Sequence, residues 1–164
     1  MIPEIKHILY TTDLSKNARH AFGYAVSMAH RYDAKITILH VLEQISESFN
    51  VQLASMMGPE RWKELVDRNT SEVRAELNGR IDAFCKETAA QTPQCPFVVE
   101  KIEVESGEPV ETILRAADQH SADIIVMGTH GQGMLADVML GSTARRVLRR
   151  SLRPVMVIRL PDEE

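Results

Sequence analysis

The stretch that decides the fold runs from residue 123 to residue 143 and reads DIIVMGTHGQGMLADVMLGST. Its first five residues form a short apolar run of the kind that becomes a buried strand of a parallel sheet. The part that follows holds four of the eight glycines in the chain. Ser142 then starts a segment that places Ala144, Val147 and Leu148 on one helical face. The stretch therefore predicts a strand, a glycine-rich loop and a helix, in that order.

The rest of the chain alternates between strand and helix in the same way. Short β-favouring runs predict further strands at 5–12, 35–41, 97–104 and 154–160, besides the one at 123–127. Helices are predicted after an N-cap at Ser15, over 60–89, from Pro109 and from Ser142. Parallel strands need such crossovers, which cover both faces of the sheet. The pattern predicts one doubly wound α/β domain spanning residues 1–164, with a five-stranded parallel sheet.

One stretch, residues 42–59, fits neither pattern clearly. It contains Met56, Met57 and Gly58 and shows no regular apolar spacing. Two interpretations stay open for it: a mobile flap over a binding site, or a plain connecting loop or short helix.

Composition and charge exclude several classes of function. A formal net charge of −4 gives no basic footprint, so we expect no nucleic acid partner. No apolar run reaches the roughly 18 residues of a membrane span, and the first residues lack a signal peptide pattern. We therefore expect a cytoplasmic protein without a membrane span. Cys85 and Cys95 match no metal-ligand spacing, and we expect both to be reduced thiols.

The glycines of the opening stretch allow two interpretations. They form either an ordinary loop with tight turns or a cradle in which bare backbone approaches phosphate. In doubly wound sheets, ligands bind beyond the carboxyl ends of the strands, and phosphate favours a helix N-terminus. Gly141, Ser142 and Thr143 lie at such a position. The Ser142 hydroxyl could bind phosphate, serve as the N-cap of the helix, or do both.

Two common nucleotide-binding fingerprints are absent from the chain. A P-loop needs a lysine after its glycines, and no lysine follows Lys101. A dinucleotide fingerprint needs glycines after the first strand, where this chain reads TTDLS over residues 11–15. Asp13 in that turn could accept a hydrogen bond from a ribose hydroxyl or approach phosphates through a metal ion. Its alternative role is that of a turn or capping residue.

At this point the sequence closely resembles the universal stress protein family. The resemblance rests on TTDLS, LHV, SGEPVETIL, DIIVMGTHG, GST and RPVMVIRL, which together span nearly the whole chain. Gly128, Gly131 and Gly141-Ser142 match the G-x2-G-x9-G-[S/T] signature of the ATP-binding branch. The resemblance implies a strand order of 3-2-1-4-5, ATP in the cleft with Mg²⁺ or Mn²⁺, and a homodimer through the last strand. One departure is Leu14, where many members have glycine or phenylalanine.

The resemblance also implies a set of binding residues. Thr12 and Asp13 would face the adenosine, and the backbone at Val41 would meet the adenine. The ribose and phosphates would be lined by Met127, Gly128, Thr129, His130 and Gly131. The phosphates would be bound by Gly141, Ser142 and Thr143. The resemblance identifies neither catalytic residues nor a metal ligand set.

Three functions remain open at the level of the sequence. The first is an ATP-binding stress-response regulatory protein, which we favour because the sequence indicates a phosphate-binding loop and no catalytic residues around it. The second is a slow ATPase or self-phosphorylating enzyme, which needs charge stabilisation and a positioned nucleophile around the γ-phosphate. The third is a nucleotide-independent dimeric interaction protein. Arg145 and Arg146 could contact a phosphate or form a solvated helix face, and His130 could titrate there or simply pack in the loop.

Overall fold

The computed structural model describes residues 2–43, 46–129 and 140–160 of the chain. Within these ranges, strands and helices alternate along most of the sequence. The order is β1 (His7–Thr11), α1 (Lys16–Tyr32), β2 (Lys35–Glu43), α2 (Glu47–Met57), α3 (Pro59–Gln91), β3 (Val98–Gly107), α4 (Pro109–Gln119), β4 (Ile124–Gly128), α5 (Ser142–Arg150) and β5 (Val155–Ile158).

The five strands form one sheet, and its topology confirms the predicted fold class. Every strand pair is parallel, and the strand order is β3-β2-β1-β4-β5. Residues of β1 alternate between the two faces: Ile8 and Tyr10 pack in one core, and Leu9 packs in the other. The first core also contains residues of α1 and α3, whereas the second contains residues of α4 and α5. The sheet is therefore covered by helices on both faces.

The helix starts predicted after Ser15, at Pro109 and at Ser142 are confirmed, and the three helices differ in how they are capped. Ser15 caps α1, because its side chain accepts a hydrogen bond from the Ala18 N–H. Pro109 is the first residue of α4, as predicted, with Glu108 as the N-cap. Ser142 is the first residue of α5, as predicted, but the cap position belongs to Gly141, so the N-cap alternative for the Ser142 hydroxyl is wrong. Gly141 has no side chain that could accept a capping hydrogen bond, and the Ser142 hydroxyl does not cap the helix in its place.

The stretch between β2 and α3 is where the structure adds most to the prediction. Residues 47–57 form α2, so the short helix among the predicted alternatives is confirmed. None of its described residues is buried. The strand predicted at 5–12 is shorter, at His7–Thr11, because the chain turns at Thr12. The last strand is likewise shorter, at Val155–Ile158.

Two expectations about membranes and thiols can be compared with the fold. No helix in the described ranges is both long enough and apolar enough to cross a bilayer. Cys85 and Cys95 are both free thiols, as expected. Burial raises the pKa of the Cys85 thiol to about 11, so this thiol is protonated at neutral pH.

Candidate functional site

A cavity of about 760 Å³ lies at the carboxyl ends of β1, β2 and β4. The strand order reverses between β1 and β4, which is where doubly wound sheets hold their ligands. The predicted site residues within the described ranges all line this cavity. They are Thr12, Asp13, Val41, Met127, Gly128, Thr129, Gly141, Ser142 and Thr143. His130 and Gly131 lie outside the described residues.

The turn after β1 is fixed by its own side chains. Asp13 Oδ1 accepts a hydrogen bond from the Ser15 N–H at 3.0 Å, and Thr12 Oγ1 accepts one from the Leu14 N–H at 3.0 Å. The turn interpretation of Asp13 is therefore confirmed, and the same side chain lines the cavity. Leu14 has a φ of 63°, a left-handed conformation that glycine adopts more easily. This φ gives a physical reason why glycine suits the position.

A buried histidine connects this turn to β2. The Nδ1 atom of His40 lies 2.7 Å from the carbonyl oxygen of Thr12, and His40 is only 9% exposed. The Thr12 N–H donates to the carbonyl oxygen of Leu39 at 2.9 Å. These contacts fit a structural role for His40, because its ring holds the turn against the next strand.

The glycine-rich loop leaves β4 through Thr129, whose groups hold three parts of the molecule. Its N–H donates to the carbonyl oxygen of Ile158 at 3.0 Å, and its carbonyl oxygen accepts from the Gly141 N–H at 2.8 Å. Its Oγ1 accepts a hydrogen bond from Asn17 Nδ2 at 3.0 Å. Thr129 thus joins the end of β5, the start of α5 and the first turn of α1.

Gly128 has a packing reason to be glycine. A Cβ atom at this position would lie 3.0 Å from Asn17 Nδ2 and 3.1 Å from Asn17 Cγ. Both distances are shorter than comfortable van der Waals contact, and the asparagine is buried. The lack of a side chain at Gly128 therefore lets β4 and α1 approach each other, whatever else the glycine contributes.

The first turn of α5 closes the opposite side of the cavity. Ser142, Thr143 and Ala144 line it, and the amides that begin a helix have no partners within that helix. The positive end of the helix dipole therefore faces the cavity. This end of the site has the backbone donors and hydroxyls that suit an anion.

Two arginines of α5, Arg146 and Arg150, form ion pairs with carboxylates at the start of α4. Arg146 Nη1 lies 2.8 Å from Glu108 Oε1, and Arg150 Nη1 lies 2.6 Å from Glu111 Oε1. The Glu111 N–H, together with the Arg146 guanidinium, holds the pKa of Glu108 below its usual range. Among the described residues that line the cavity, neither Arg145 nor Arg146 occurs. Arg146 and Arg150 tie α5 to the start of α4, and the lining of the cavity gives no support to a phosphate contact from Arg145 or Arg146.

Helix α3 forms a wall of the cavity on the face of the sheet opposite to α5. Val73, Leu77 and Arg80 line the cavity from this helix. Arg80 is exposed to solvent and is the only lysine or arginine among the described lining residues. Two carboxylates, Asp13 and Glu43, belong to the same lining. No cluster of three metal-ligating side chains occurs in the described ranges.

With the fold and the site defined, comparisons with known proteins decide the family. The chain matches the Universal stress protein family over residues 4–159. It belongs to this family. Universal stress protein MJ0577 of Methanocaldococcus jannaschii is 27% identical over 154 residues, which cover 94% of each chain. A universal stress protein of Thermus aquaticus is 30% identical over 159 residues, covering 94% of this chain and 98% of that protein.

Solved structures agree with this membership. The structure of MJ0577 has a TM-score of 0.73 at 25% identity and covers 98% of this chain and all of that one. A universal stress protein solved in complex with cAMP has a TM-score of 0.64 at 22% identity, and the match covers 95% of this chain and 98% of that one. A universal stress protein from Archaeoglobus fulgidus in complex with dAMP has a TM-score of 0.56 at 19% identity, and the match covers 93% of this chain and 96% of that one. At these identities the last two comparisons show the shared fold.

Sequence reasoning missed several contributors to the site in this universal stress protein, among them the α3 wall and Asn17. The α3 wall was predicted only as part of an amphipathic helix, since Leu77 belongs to the same apolar stripe as Ile81. Asn17 was not singled out at all. Asn17 is a buried polar residue beside the apolar face of α1, but this burial becomes visible only in the fold. Such residues are normally hydrogen-bonded, and their partners are often informative.

Proposed function

We propose that this universal stress protein binds an adenine nucleotide, ATP with Mg²⁺ or Mn²⁺, and acts as a nucleotide-responsive regulatory protein. The observation that carries the proposal is the cavity at the switch point of the sheet. Its volume of about 760 Å³ lies in the range that small-molecule and cofactor sites occupy. Its lining is apolar in one part and rich in backbone donors and hydroxyls in another.

The apolar part suits the base. Leu39, Val41 and Leu42 of β2 line the cavity together with Leu77 and Ile113 from the two faces of the sheet. A planar purine buries apolar surface in such a setting, and strand backbone can supply its polar contacts. Thr12 and Asp13 would face the ribose, whose hydroxyls can donate to a carboxylate.

The polar part suits the phosphates. The N-terminus of α5, with the hydroxyls of Ser142 and Thr143, is a helix start facing the cavity, and such starts favour phosphate. A bound Mg²⁺ would take most of its ligands from phosphate oxygens and water, because this ion commonly uses only one or two protein carboxylates. The two related structures solved with cAMP and dAMP support an adenine ligand for the family fold.

We propose binding rather than rapid catalysis. Efficient phosphoryl transfer normally assembles several cations around the γ-phosphate, whereas the described lining carries one arginine and no lysine. We assign the regulatory output to a conformational or partner change on nucleotide binding. A homodimer through β5 belongs to the same proposal, because β5 is an edge strand of the described sheet. Light scattering tests this dimer, and a monomer at micromolar concentration would contradict it.

Calorimetric titration with ATP and Mg²⁺, alongside thermal melts, tests the binding. At ATP concentrations about a hundred times Kd, we expect stabilisation by roughly 2.7 kcal/mol and a Tm rise of roughly 5 to 10 °C. A double variant, Ser142→Ala with Thr143→Ala, should weaken binding roughly 10-fold through lost phosphate contacts. Alanine keeps the helix intact.

The matched control removes two hydroxyls that do not line the cavity, Ser55→Ala with Ser71→Ala. Its ATP affinity should equal that of the unmodified chain. Absence of heat and of a thermal shift at millimolar ATP with Mg²⁺ would overturn the proposal. Phosphate release above that of the Ser142 and Thr143 variant would favour the slow ATPase.

A further inference from the structure

We propose that Asn17 is a positioning residue for the phosphate end of the cavity, acting through the hydroxyl of Thr129. This inference rests on the proposed function, because it assigns a role in nucleotide binding to a side chain that does not itself line the cavity. The contact that carries it is the 3.0 Å hydrogen bond from Asn17 Nδ2 to Thr129 Oγ1, across 112 positions of sequence.

Asn17 is an unusual choice for its position in α1. It lies in the first turn, next to the buried Ala18, and only 7% of its surface is exposed. Asparagine is a weaker helix former than alanine, and burial of its amide is unfavourable without hydrogen-bond partners. A local choice that conflicts with both helix propensity and the apolar face indicates a requirement from elsewhere in the structure. The bond to Thr129 supplies that requirement.

Gly128 is fitted to the same asparagine. A Cβ atom there would lie 3.0 Å from Asn17 Nδ2 and 3.4 Å from the carbonyl carbon of Asn17. The end of β4 can therefore approach the first turn of α1 closely only because residue 128 is glycine. The side chain of Asn17 and the bare backbone of Gly128 form one complementary contact.

The contact is placed where it can set the geometry of the whole site. On one side, Asn17 belongs to the same turn as Ser15, the N-cap of α1, whose N–H is bonded to Asp13. On the other side, Thr129 holds Gly141, the cap residue of α5, through a 2.8 Å backbone hydrogen bond. Asn17 therefore fastens the turn that would face the ribose to the helix start that would face the phosphates. A ligand that spans both needs their separation fixed in advance, which lowers the cost of ordering on binding.

The test uses a double-mutant cycle on Asn17→Ala and Thr129→Val, with ATP and adenosine as separate ligands. Each single variant should weaken ATP binding roughly 5- to 20-fold, which is the range for one or two lost hydrogen bonds. The double variant should lose little more than the weaker-binding single variant, because both changes remove the same contact. Adenosine lacks phosphates, so its affinity should change less than about 2-fold.

Two further variants separate positioning from general stability. Thr129→Ser keeps the hydroxyl and should recover most of the affinity lost in Thr129→Val. Thr37→Val removes a hydroxyl from a residue of β2 that is buried, at 6% exposure, and does not line the cavity. It should leave ATP affinity unchanged even if it lowers the Tm. Hydrogen exchange of the Gly141 N–H, measured by NMR without nucleotide, should accelerate in the Asn17 and Thr129→Val variants only.

The outcomes distinguish this inference from the proposed function. If the unmodified chain binds ATP but the Asn17→Ala and Thr129→Val variants bind it equally well, the positioning role is wrong. Additive losses in the double variant, or equal losses for adenosine and ATP, would also overturn it. If the unmodified chain binds neither ligand, the proposed function fails. Hydrogen exchange of the Gly141 N–H alone then decides whether Asn17 holds Thr129 and Gly141 in place.

Discussion

The cavity of this universal stress protein lies between two walls that are built differently. The first wall, made by the ends of β1 and β4 with the starts of α1 and α5, is held by hydrogen bonds between distant parts of the chain. The second wall is made by α3, which follows the short helix α2. None of the described α2 residues is buried, and the buried residues of α3 are Leu77, Ile81 and Cys85, all in its C-terminal half.

The difference teaches how one site can combine a fixed frame with an adaptable side. Segments with few buried apolar contacts open locally at lower free energy than core segments. We therefore expect the first wall to set the geometry of the ligand. The second wall, anchored only from Leu77 onward, can adjust without disturbing the sheet.

The largest expected effect compares the two halves of α3. Ile81 is 1% exposed and packs in the core under the sheet, whereas Leu65 is 44% exposed. Ile81→Ala should lower the free energy of unfolding by about 3 kcal/mol, through lost burial and the cavity that remains. Leu65→Ala should change it by less than about 0.5 kcal/mol. Urea denaturation measures both, and similar losses would show that the N-terminal half of α3 is as firmly packed as the rest.

The same difference explains what could be predicted from the sequence. Strand β4 was predictable because its buried residues form a uniform apolar run, and β3 was predictable because apolar and charged residues alternate along it. Helix α2 was not assigned, because Phe49, Val51 and Met56 are all at least half exposed. Without a core to face, they leave no regular apolar spacing in the sequence. An amphipathic pattern records burial, so a helix that buries nothing is hard to recognise from its pattern.

The candidate site divides along the same line. Asp13 and the Gly141 to Thr143 segment could be predicted because they follow strand ends or begin a helix, positions that sequence can locate. Arg80 could not, since it lies in the middle of a 33-residue helix whose pattern is dominated by the core. Asn17 could not either, because its partner Thr129 is far away in sequence and only the fold brings them together.

The second prediction concerns the amino-terminal ends of β1 and β4, which lie at the edge of the sheet away from the cavity. Asp123 Oδ2 accepts hydrogen bonds from the N–H groups of Lys6 at 2.7 Å and His7 at 2.9 Å, which ties β4 to β1. Partial burial raises the pKa of Asp123, but these two donors more than offset it, so the pKa lies below its usual value. Asp123→Ala should therefore lower stability by about 1 to 2 kcal/mol at pH 7.

The pH dependence of this effect follows from the lowered pKa. The stabilisation is fully present above the pKa of the unfolded chain, near 3.9, and is lost as pH falls through the lower pKa of the folded state. The gap in unfolding free energy between the unmodified chain and Asp123→Ala should therefore be constant from pH 5 to 7 and shrink at lower pH. Denaturant titrations across this range measure it. A gap that persists into strong acid would mean that the loss comes from packing and not from the carboxylate.

The smallest expected effect tests whether the second wall takes part in binding at all. Arg80 is exposed, so solvent and salt screen its charge, and we expect Arg80→Gln to weaken ATP binding only about 1.5- to 5-fold at low salt. The loss should shrink in high salt and be absent for adenosine, which carries no phosphate charge. Arg61→Gln is the matched control, because it removes the same charge from an exposed position of α3 that does not line the cavity. Calorimetry with both ligands at two salt concentrations separates the cases. Equal effects of the two substitutions would mean that Arg80 acts only through long-range electrostatics and makes no contact with the ligand. An equal loss for ATP and adenosine would place Arg80 against the base or ribose.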